Sequence, residues 1–327
     1  MLFQATRSVA RKAHSCRYFR CFSQKSAAPF KTETRFTLGE LRKKYQSSKP
    51  ITAVTAYDYP SAKQVDSAGI DVVLVGDSAA MVVHGHETTL PITLNDMITH
   101  TKAVKRAVQR AMVVSDLPFG SYEESTDYAV RSALMLIKEG LADAVKLEGA
   151  IEPRLRVVRA IKNAGIPVMG HVGLTPQSVN VLGGFKPQGQ KAVDAMQLVE
   201  HAISLEDAGC FAIVIECVPE AVASAITRVI NIPTIGIGAG QHTSGQILVY
   251  HDLLGLTEHP HHSNVAPKFC KQYAQLGMVA RSALCSFKAE VENKIFPGAA
   301  FSPYTMQQDE LQHFAEMLKR QGFEQIT

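Results

Sequence analysis

Short apolar runs alternate with longer amphipathic stretches from about residue 50 onward. Seven runs are short, rich in β-branched residues and mostly apolar without polar–apolar alternation, as expected of strands buried on both faces. These predicted strands are 51–56, 72–75, 112–115, 144–147, 168–170, 211–215 and 234–237. Stretches rich in Ala, Leu and Lys predict helices at 61–68, 94–110, 125–139, 153–163, 193–208, 219–229 and 307–321. Strict alternation of strands and helices predicts a parallel sheet.

An eighth strand is expected within residues 246–250, although this segment could instead be helical. Eight strand–helix units over roughly 37–301 predict a (β/α)₈ TIM-type barrel, an α/β fold. A doubly wound open sheet is the alternative. The barrel is favoured because candidate polar residues follow many successive strands, whereas an open sheet concentrates its site at one switch point. The predicted organisation is a leader over 1–32, a single barrel domain over 33–301 and a C-terminal helical extension over 302–327.

Charge is unevenly distributed along the chain. Residues 1–32 contain seven basic side chains and no acidic one, while the whole chain has a formal net charge of +4. The remainder therefore has 27 basic and 30 acidic residues, a charge of −3. A dispersed basic leader containing Ser and Ala is typical of a mitochondrial transit peptide; a basic arm that binds nucleic acid is the alternative. We expect a mitochondrial protein without a nucleic-acid partner.

The sequence argues against two classes of protein, those that span a membrane and those built on disulfide bonds. The longest apolar runs fall well short of the roughly 18 residues that a membrane-spanning helix needs, so no membrane association is expected. Of six cysteines, two lie in the leader, and the other four have neither CxxC nor metal-ligand spacing. We therefore expect reduced thiols that mostly serve packing, with no disulfide framework.

Ionisable residues lie at or just after the carboxyl ends of five successive predicted strands. These residues are Asp77, Asp116, Lys146, Glu148, His171 and Glu216. The carboxyl ends of barrel strands form the face where barrel active sites lie, so these side chains are expected to converge. Alternation along a strand predicts that Lys146 and Glu148 share one face. By the same argument Asp77 shares a face with Val73 and Val75, and Glu216 shares one with Val214.

Four clustered carboxylates predict a bound cation. With Lys146 they give a formal charge of −3, which in a low dielectric would force protonation unless a positive ion enters. Oxygen ligands without a Cys or His cluster favour Mg²⁺ over Zn²⁺. The alternative is that each acid caps the helix after its strand. Four acids at successive strand ends favour the metal site.

Three further motifs are weaker signals. His84-Gly85-His86 could be a metal-binding pair, although its glycine favours an ordinary loop. His259, His261 and His262 are expected in a solvated loop. The glycines of 236–240 could permit close approach of a substrate or tight packing, and they lack the context of a dinucleotide fingerprint. His171 could be a core histidine, but its position at a strand end favours a hydrogen bond to substrate.

The motifs at these strand ends resemble the ketopantoate hydroxymethyltransferase family. The resemblance covers about 37–301 and is specific in order and spacing, as in Val75-Gly76-Asp77-Ser78. Further matching segments are 55–58, 89–91, 116–119, 145–149, 170–178, 183–186, 216–219, 235–240, 252–255 and 267–269. The resemblance implies a one-carbon transferase with Mg²⁺ as cofactor, 5,10-methylenetetrahydrofolate and 3-methyl-2-oxobutanoate as substrates, and 2-dehydropantoate as product. It also implies a homo-oligomer, a decamer, and a role in pantothenate biosynthesis.

Residue roles follow from the same resemblance. Asp77 and Asp116 would ligate Mg²⁺, with Glu148 as a further ligand or just outside the ligand set. Ser78 and Lys146 would hold the keto-acid, with His171 nearby, and Glu216 would be the catalytic base. Two alternatives remain: a Mg²⁺-dependent keto-acid carbon–carbon lyase of the isocitrate lyase type, which needs no folate, and a non-catalytic keto-acid-binding homologue.

Overall fold

The computed structural model describes residues 34–256 and 269–323. The leader predicted over 1–32 lies outside these residues, as do His259, His261 and His262. The domain boundaries expected at residues 32 and 301 stay predictions. Within the described residues, no helix combines the length and the apolar character that crossing a membrane requires.

Eight parallel strands close into a barrel in which each strand pairs with the next and the last pairs with the first. The strands are β1 Ile51–Thr55, β2 Val72–Val75, β3 Met112–Asp116, β4 Ala144–Lys146, β5 Val168–Gly173, β6 Ala212–Glu216, β7 Thr234–Ile237 and β8 Gly245–Leu248. This closed order confirms the barrel and excludes the open sheet. The uncertain segment 246–250 is divided between the end of β8 and the start of a short helix.

Every predicted helix is present, with its ends within three residues of the prediction. The helices are α1 Leu38–Gln46, α2 Tyr59–Ser67, α3 Ala79–Val82, α4 Leu94–Ala107, α5 Thr126–Lys138, α6 Glu152–Asn163, α7 Val179–Leu182, α8 Ala192–Ala208, α9 Glu220–Val229, α10 Tyr250–Leu253, α11 Leu276–Glu292 and α12 Gln308–Arg320. Single 3₁₀ turns lie at Pro176–Ser178 and Ala299–Phe301. Four helices begin with a side chain that accepts a backbone N–H three residues later, which satisfies one of the exposed donors of the first turn.

Two long helices are not among those predicted. Helix α1 has a usable signal, because the Thr37 side chain accepts the backbone N–H of Glu40 and Leu41 is buried. Helix α11 lacks such a signal: among the described residues none of its side chains is buried, and Leu284 and Phe287 are exposed. An apolar stripe facing a core is the pattern that sequence analysis detects, and the part of the chain that the structure describes provides no such core for α11.

Alternate strand residues face the barrel interior. The inner set fills the barrel and comprises Ile51, Ala53, Val72, Leu74, Met112, Val114, Ala144, Met169, Ala212, Val214, Ile235 and Ile247. The intervening residues pack against the surrounding helices. Continuing the inner alternation by two residues gives Asp116, Lys146, His171 and Glu216. The apolar filling of the barrel is therefore succeeded by ionisable side chains at the carboxyl ends of the strands.

Candidate active site

A cavity of about 590 Å³ lies at the carboxyl ends of the strands. Its lining includes all seven residues singled out from the sequence: Asp77, Ser78, Asp116, Lys146, Glu148, His171 and Glu216. Barrel enzymes carry out their chemistry at this end, and the volume is typical of small-molecule sites. The predicted convergence is confirmed, while the role of each residue stays a prediction.

The parity argument is correct for most of these residues and wrong for Asp77. Val73 and Val75 pack outward against the helices, so a continuing strand would direct Asp77 away from the cavity. Strand β2 instead ends at Val75, and the chain turns into helix α3. The turn takes place at Gly76, where a Cβ would lie 2.7 Å from the Ser78 Oγ. A glycine at this inward position leaves room for the turn that brings Asp77 into the cavity.

Asp116 connects two sides of the cavity floor. One of its carboxylate oxygens accepts the Lys146 ammonium at 2.8 Å, and the other accepts the Asp77 backbone N–H at 3.1 Å. All three residues are at most 4% exposed. Burial lowers the pKa of Lys146, but the Asp116, Glu148 and Asp77 carboxylates outweigh it and raise this pKa above its usual value. Lys146 is therefore a fixed cation and cannot accept a proton.

His171 lies between two carboxylates. Its Nδ1 is 3.4 Å from Glu148 Oε1, and its Nε2 is 3.3 Å from Glu216 Oε2. Both pairs are within ion-pair distance, although neither meets the geometry of a hydrogen bond. Burial and Lys146 lower the pKa of His171, and the two carboxylates more than compensate, raising it to about 9. The imidazolium therefore links Glu148 to the expected catalytic base.

The cluster carries excess negative charge. The carboxylates of Asp77, Asp116, Glu148 and Glu216, set against Lys146 and a protonated His171, leave a formal charge of −2. Burial raises the pKa of Asp77 well above its usual value, and the neighbouring carboxylates of Asp116 and Glu148 add to the effect. A divalent cation would relieve this repulsion.

The described residues do not provide a ready-made set of three protein ligands for such an ion. Among residues 34–256 and 269–323, no three His, Cys, Asp or Glu side chains are grouped so that they could enclose a metal. Mg²⁺ commonly takes only one or two protein carboxylates, with water and substrate oxygens completing its coordination. Asp77 and Asp116 fit that smaller ligand set. Glu148 fits it less well, because its Oε2 accepts the Gln177 backbone N–H at 3.0 Å and its Oε1 faces His171.

Helix capping does not explain the four acids. The N-cap residues of the helices that follow their strands are Ser78, Ser125, Ile151 and Pro219. None of the four acids occupies such a position, so the capping alternative is wrong.

Gln177 is a site residue that the sequence did not reveal. Its side-chain amide donates to Asp77 Oδ2 at 2.9 Å and to the Leu117 carbonyl at 3.0 Å. Its Oε1 accepts the Tyr122 hydroxyl, and its backbone N–H reaches Glu148. Gln177 thus connects the acids that follow β2 and β4. A neutral amide carries no charge signal, so only its position two residues beyond Thr175 in a matching motif could have drawn attention to it.

Ser78 is also held in place. Its hydroxyl and that of Tyr57 lie 2.8 Å apart in a hydrogen bond, and Tyr57 is buried beneath the cavity. This contact positions the Ser78 side chain at the start of helix α3, beside Asp77.

The weaker motifs have other structural roles. The Nε2 atoms of His84 and His100 are 2.9 Å apart, a contact between the loop after α3 and helix α4. No third potential metal ligand joins them among the described residues. The glycines after β7 serve packing: a Cβ on Gly238 would lie 2.6 Å from the Phe269 ring, and one on Gly240 would lie 2.4 Å from Glu220. Both glycines also have positive φ angles, at 61° and 76°.

A (β/α)₈ barrel with a buried carboxylate, lysine and histidine cluster at the carboxyl ends of its strands defines an enzyme of the α/β-barrel class. Comparison with known proteins is more specific. The family model described as ketopantoate hydroxymethyltransferase matches residues 35–299. The chain belongs to this family and is a transferase.

Named relatives agree with this assignment. The chain is 55% identical over 299 residues, 91% of its length and 86% of the relative's, to 3-methyl-2-oxobutanoate hydroxymethyltransferase 1, mitochondrial, of Arabidopsis thaliana. It is 52% identical to the 3-methyl-2-oxobutanoate hydroxymethyltransferase of Moorella thermoacetica, over 81% of this chain and 96% of that one. Plant relatives from Arabidopsis and rice are named as mitochondrial, and the mitochondrial location predicted from the leader is confirmed.

Solved structures support the fold alone. Phosphonopyruvate hydrolase in complex with oxalate and Mg²⁺ superposes with a TM-score of 0.51 at 15% identity, covering 88% of this chain and 99% of that one. Oxaloacetate acetylhydrolase in complex with 3,3-difluorooxalacetate gives 0.52 at 12% identity, covering 90% and 100%.

Proposed function

We propose that this enzyme transfers a one-carbon unit from 5,10-methylenetetrahydrofolate to C3 of 3-methyl-2-oxobutanoate, giving 2-dehydropantoate in the pathway to pantothenate. One observation carries the proposal: a buried cluster with excess negative charge lies in the same cavity as Glu216, a carboxylate whose side chain is 17% exposed. A cation site beside an accessible base suits the formation of an enolate from a keto-acid.

Asp77 and Asp116 would hold Mg²⁺, with Glu148 outside the ligand set, where it orients His171. The ion would supply a Lewis acid that stabilises negative charge on the oxygens of the keto-acid. The Lys146 ammonium, which donates to Asp116 at 2.8 Å, would attract the substrate carboxylate and orient the keto-acid. Ser78 would contribute a hydroxyl to the same substrate.

Glu216 would remove the C3 proton, and His171 would keep the Glu216 carboxylate oriented through their 3.3 Å contact. C3 then forms the new carbon–carbon bond with the methylene carbon of the folate. The two bonds from that carbon to nitrogen break, and water supplies the hydroxyl oxygen. The two nitrogens of the tetrahydrofolate product take up one proton from C3, passed on by Glu216, and one from water.

The test is exchange of the C3 hydrogen with deuterated water, followed by NMR with Mg²⁺ and without folate. Glu216→Gln should lower exchange and turnover by about 10²–10⁴-fold, the usual range for a general base. Binding of the keto-acid should change little. The matched control is Glu220→Gln, four residues further on and outside the cavity lining. Exchange at the wild-type rate in Glu216→Gln would refute the assignment of the base.

Folate dependence tests the reaction class. Product formation with Mg²⁺ and keto-acid should require 5,10-methylenetetrahydrofolate, and exhaustive chelation should abolish it. Cleavage of a keto-acid without folate would instead identify a carbon–carbon lyase. Neither exchange nor product with the wild-type chain would indicate a non-catalytic homologue.

We also infer a homo-oligomer, a decamer by family resemblance. Exposed apolar side chains on helix α11, among them Val279, Leu284 and Phe287, support association, because contiguous exposed apolar surface commonly marks an interface. Light scattering on the mature chain should give the mass of an oligomer. A monomer over the working concentration range would contradict this inference.

A further inference from the structure

The cavity has two chemically different zones. Its floor carries the ionisable cluster, which suits a small anionic keto-acid. Its outer part is lined by apolar and aromatic side chains, including Leu174, Pro176, Phe185 and Phe269. Cavities of about 590 Å³ accommodate drug-sized ligands, so a five-carbon keto-acid leaves most of this space for a second, larger molecule.

A short loop forms one wall of the outer zone. Gly183 ends helix α7 with φ 66°, and Gly184 follows with φ 115°, conformations that favour glycine. The chain then presents Phe185 and Lys186 at the cavity. Three connections hold the loop: Gly184 donates to the Val179 carbonyl at 3.0 Å, and the Gln188 backbone N–H and side chain donate to the carbonyls of Cys217 and Lys186 at 2.9 Å each.

The Cys217 connection holds this loop beside the residue that follows the expected base. Cys217 follows Glu216 directly, and the Glu216 carbonyl accepts the Leu174 backbone N–H at 2.8 Å. Phe185, Leu174 and Glu216 line the same cavity, so a molecule lying against Phe185 and Leu174 can extend to the Glu216 carboxylate. This is where a one-carbon donor must present its reactive carbon.

Lys186 supplies a cation for the other end of that molecule. Its side chain is exposed, and within the part of the chain that the structure describes it makes no ion pair. Phe185 is 42% exposed and Phe269 is 37% exposed, and both line the cavity, so part of each side chain is accessible to a ligand. An aromatic wall next to an available ammonium suits a flat conjugated ligand with an anionic tail.

We propose that Phe185, Lys186 and Phe269 form the binding site for the folate co-substrate, with its ring system against the two aromatic side chains and its glutamate carboxylates at Lys186. This inference rests on the proposed function and adds residues and an orientation to it. The conjugated end would lie inward over Glu216, and the glutamate tail would extend to solvent.

The test separates the two substrates. Phe185→Ala should raise the KM for 5,10-methylenetetrahydrofolate about tenfold, from lost aromatic contact. Lys186→Gln should raise it up to about fivefold, the upper range for an exposed ion pair, and Lys186→Arg should restore it. In all three variants the KM for the keto-acid and the folate-free C3 exchange should remain at wild-type values. The control is Lys191→Gln, an exposed lysine outside the cavity lining.

Salt provides a further readout specific to charge. The difference in folate KM between wild type and Lys186→Gln should shrink as NaCl is raised from 50 mM to 1 M, because salt screens exposed charge pairs. The increase in folate KM caused by Phe185→Ala should persist. Unchanged folate KM in both variants, or equal changes in the KM of both substrates, would overturn the inference. Failure of the proposed function is distinguishable from this, since the wild type itself would then show no exchange and no folate-dependent product.

Discussion

Strand β2 has a buried aspartate near each end, and the two have opposite electrostatic surroundings. Asp71 precedes the strand and is 1% exposed; Asp77 follows it and is 4% exposed. Asp71 accepts from Lys44 and from Arg110, and the Thr52 backbone N–H and hydroxyl both donate to it at 2.9 Å. Burial raises its pKa, but these partners outweigh burial and hold the pKa below its usual value.

Asp77 has fewer hydrogen-bond donors and cations around it than Asp71 has. Its nearest charged neighbours include the Asp116 and Glu148 carboxylates, and Lys146 is already hydrogen-bonded to Asp116. Burial of a carboxylate is therefore not what distinguishes the functional end of the barrel. The distinction is whether the chain itself neutralises the charge. It does so at Asp71, which makes that residue structural, and it leaves an excess at Asp77 that an external cation can balance.

The largest expected effect comes from removing charge at the functional end. Asp77→Asn keeps an oxygen that can accept the Gln177 amide but loses the negative charge. We expect turnover to fall by about 10²–10³-fold and the Mg²⁺ concentration for half-maximal activity to rise. Steady-state rates over a Mg²⁺ titration measure both. Without metal the variant should unfold at the same temperature as wild type or higher, because one repelling charge is gone. Full activity at wild-type Mg²⁺ concentrations would refute the assignment.

The aspartate-to-asparagine substitution at Asp71, before β2, should lower stability and leave activity nearly unchanged. Asp71→Asn should lower the free energy of unfolding by about 2–3 kcal/mol, since it removes charge-assisted hydrogen bonds from a buried site whose Lys44 and Arg110 partners are partly exposed. Urea unfolding gives this value. Activity per folded molecule should remain near wild type. A loss of turnover without a loss of stability would mean that the two ends are not functionally distinct.

The sequence predicted the barrel and most of the residues at its functional end, but not the surroundings of Asp71 or the turn that positions Asp77. Continuous apolar strands and polar strand ends predicted the barrel and the convergence of Asp116, Lys146, His171 and Glu216, because both depend on local alternation. The turn at Gly76 was missed, since it depends on where β2 ends rather than on its period. Partners distant in the chain were also missed: Asp71 meets Lys44 and Arg110 only in the closed barrel, and neutral Gln177 has no charge pattern to detect.

A smaller effect is expected from replacing Gln177, whose neutral amide donates a hydrogen bond to Asp77. Gln177→Met should reduce kcat about tenfold, because Asp77 loses a side-chain hydrogen bond and the Tyr122 hydroxyl loses its acceptor. The half-saturating Mg²⁺ concentration should also rise, a change that a loss of packing alone would not produce. Gln109→Met, exposed and at the opposite end of the barrel, is the control. An unchanged Mg²⁺ dependence would show that Gln177 has only a packing role.

The smallest expected effect is the pH dependence of the stability that Asp71 provides. Its folded pKa is lowered, so its stabilisation is fully present above the unfolded pKa of about 3.9 and is lost as the pH falls through the folded pKa. The difference in unfolding free energy between wild type and Asp71→Asn should thus be constant from pH 7 to about pH 5. By pH 3.5 it should have narrowed by up to about 0.7 kcal/mol, because the unfolded carboxyl takes up its proton first. The cavity carboxylates are common to both proteins and cancel in this difference, so a gap that widened on acidification would mean that Asp71 is not the stabilised carboxylate described above.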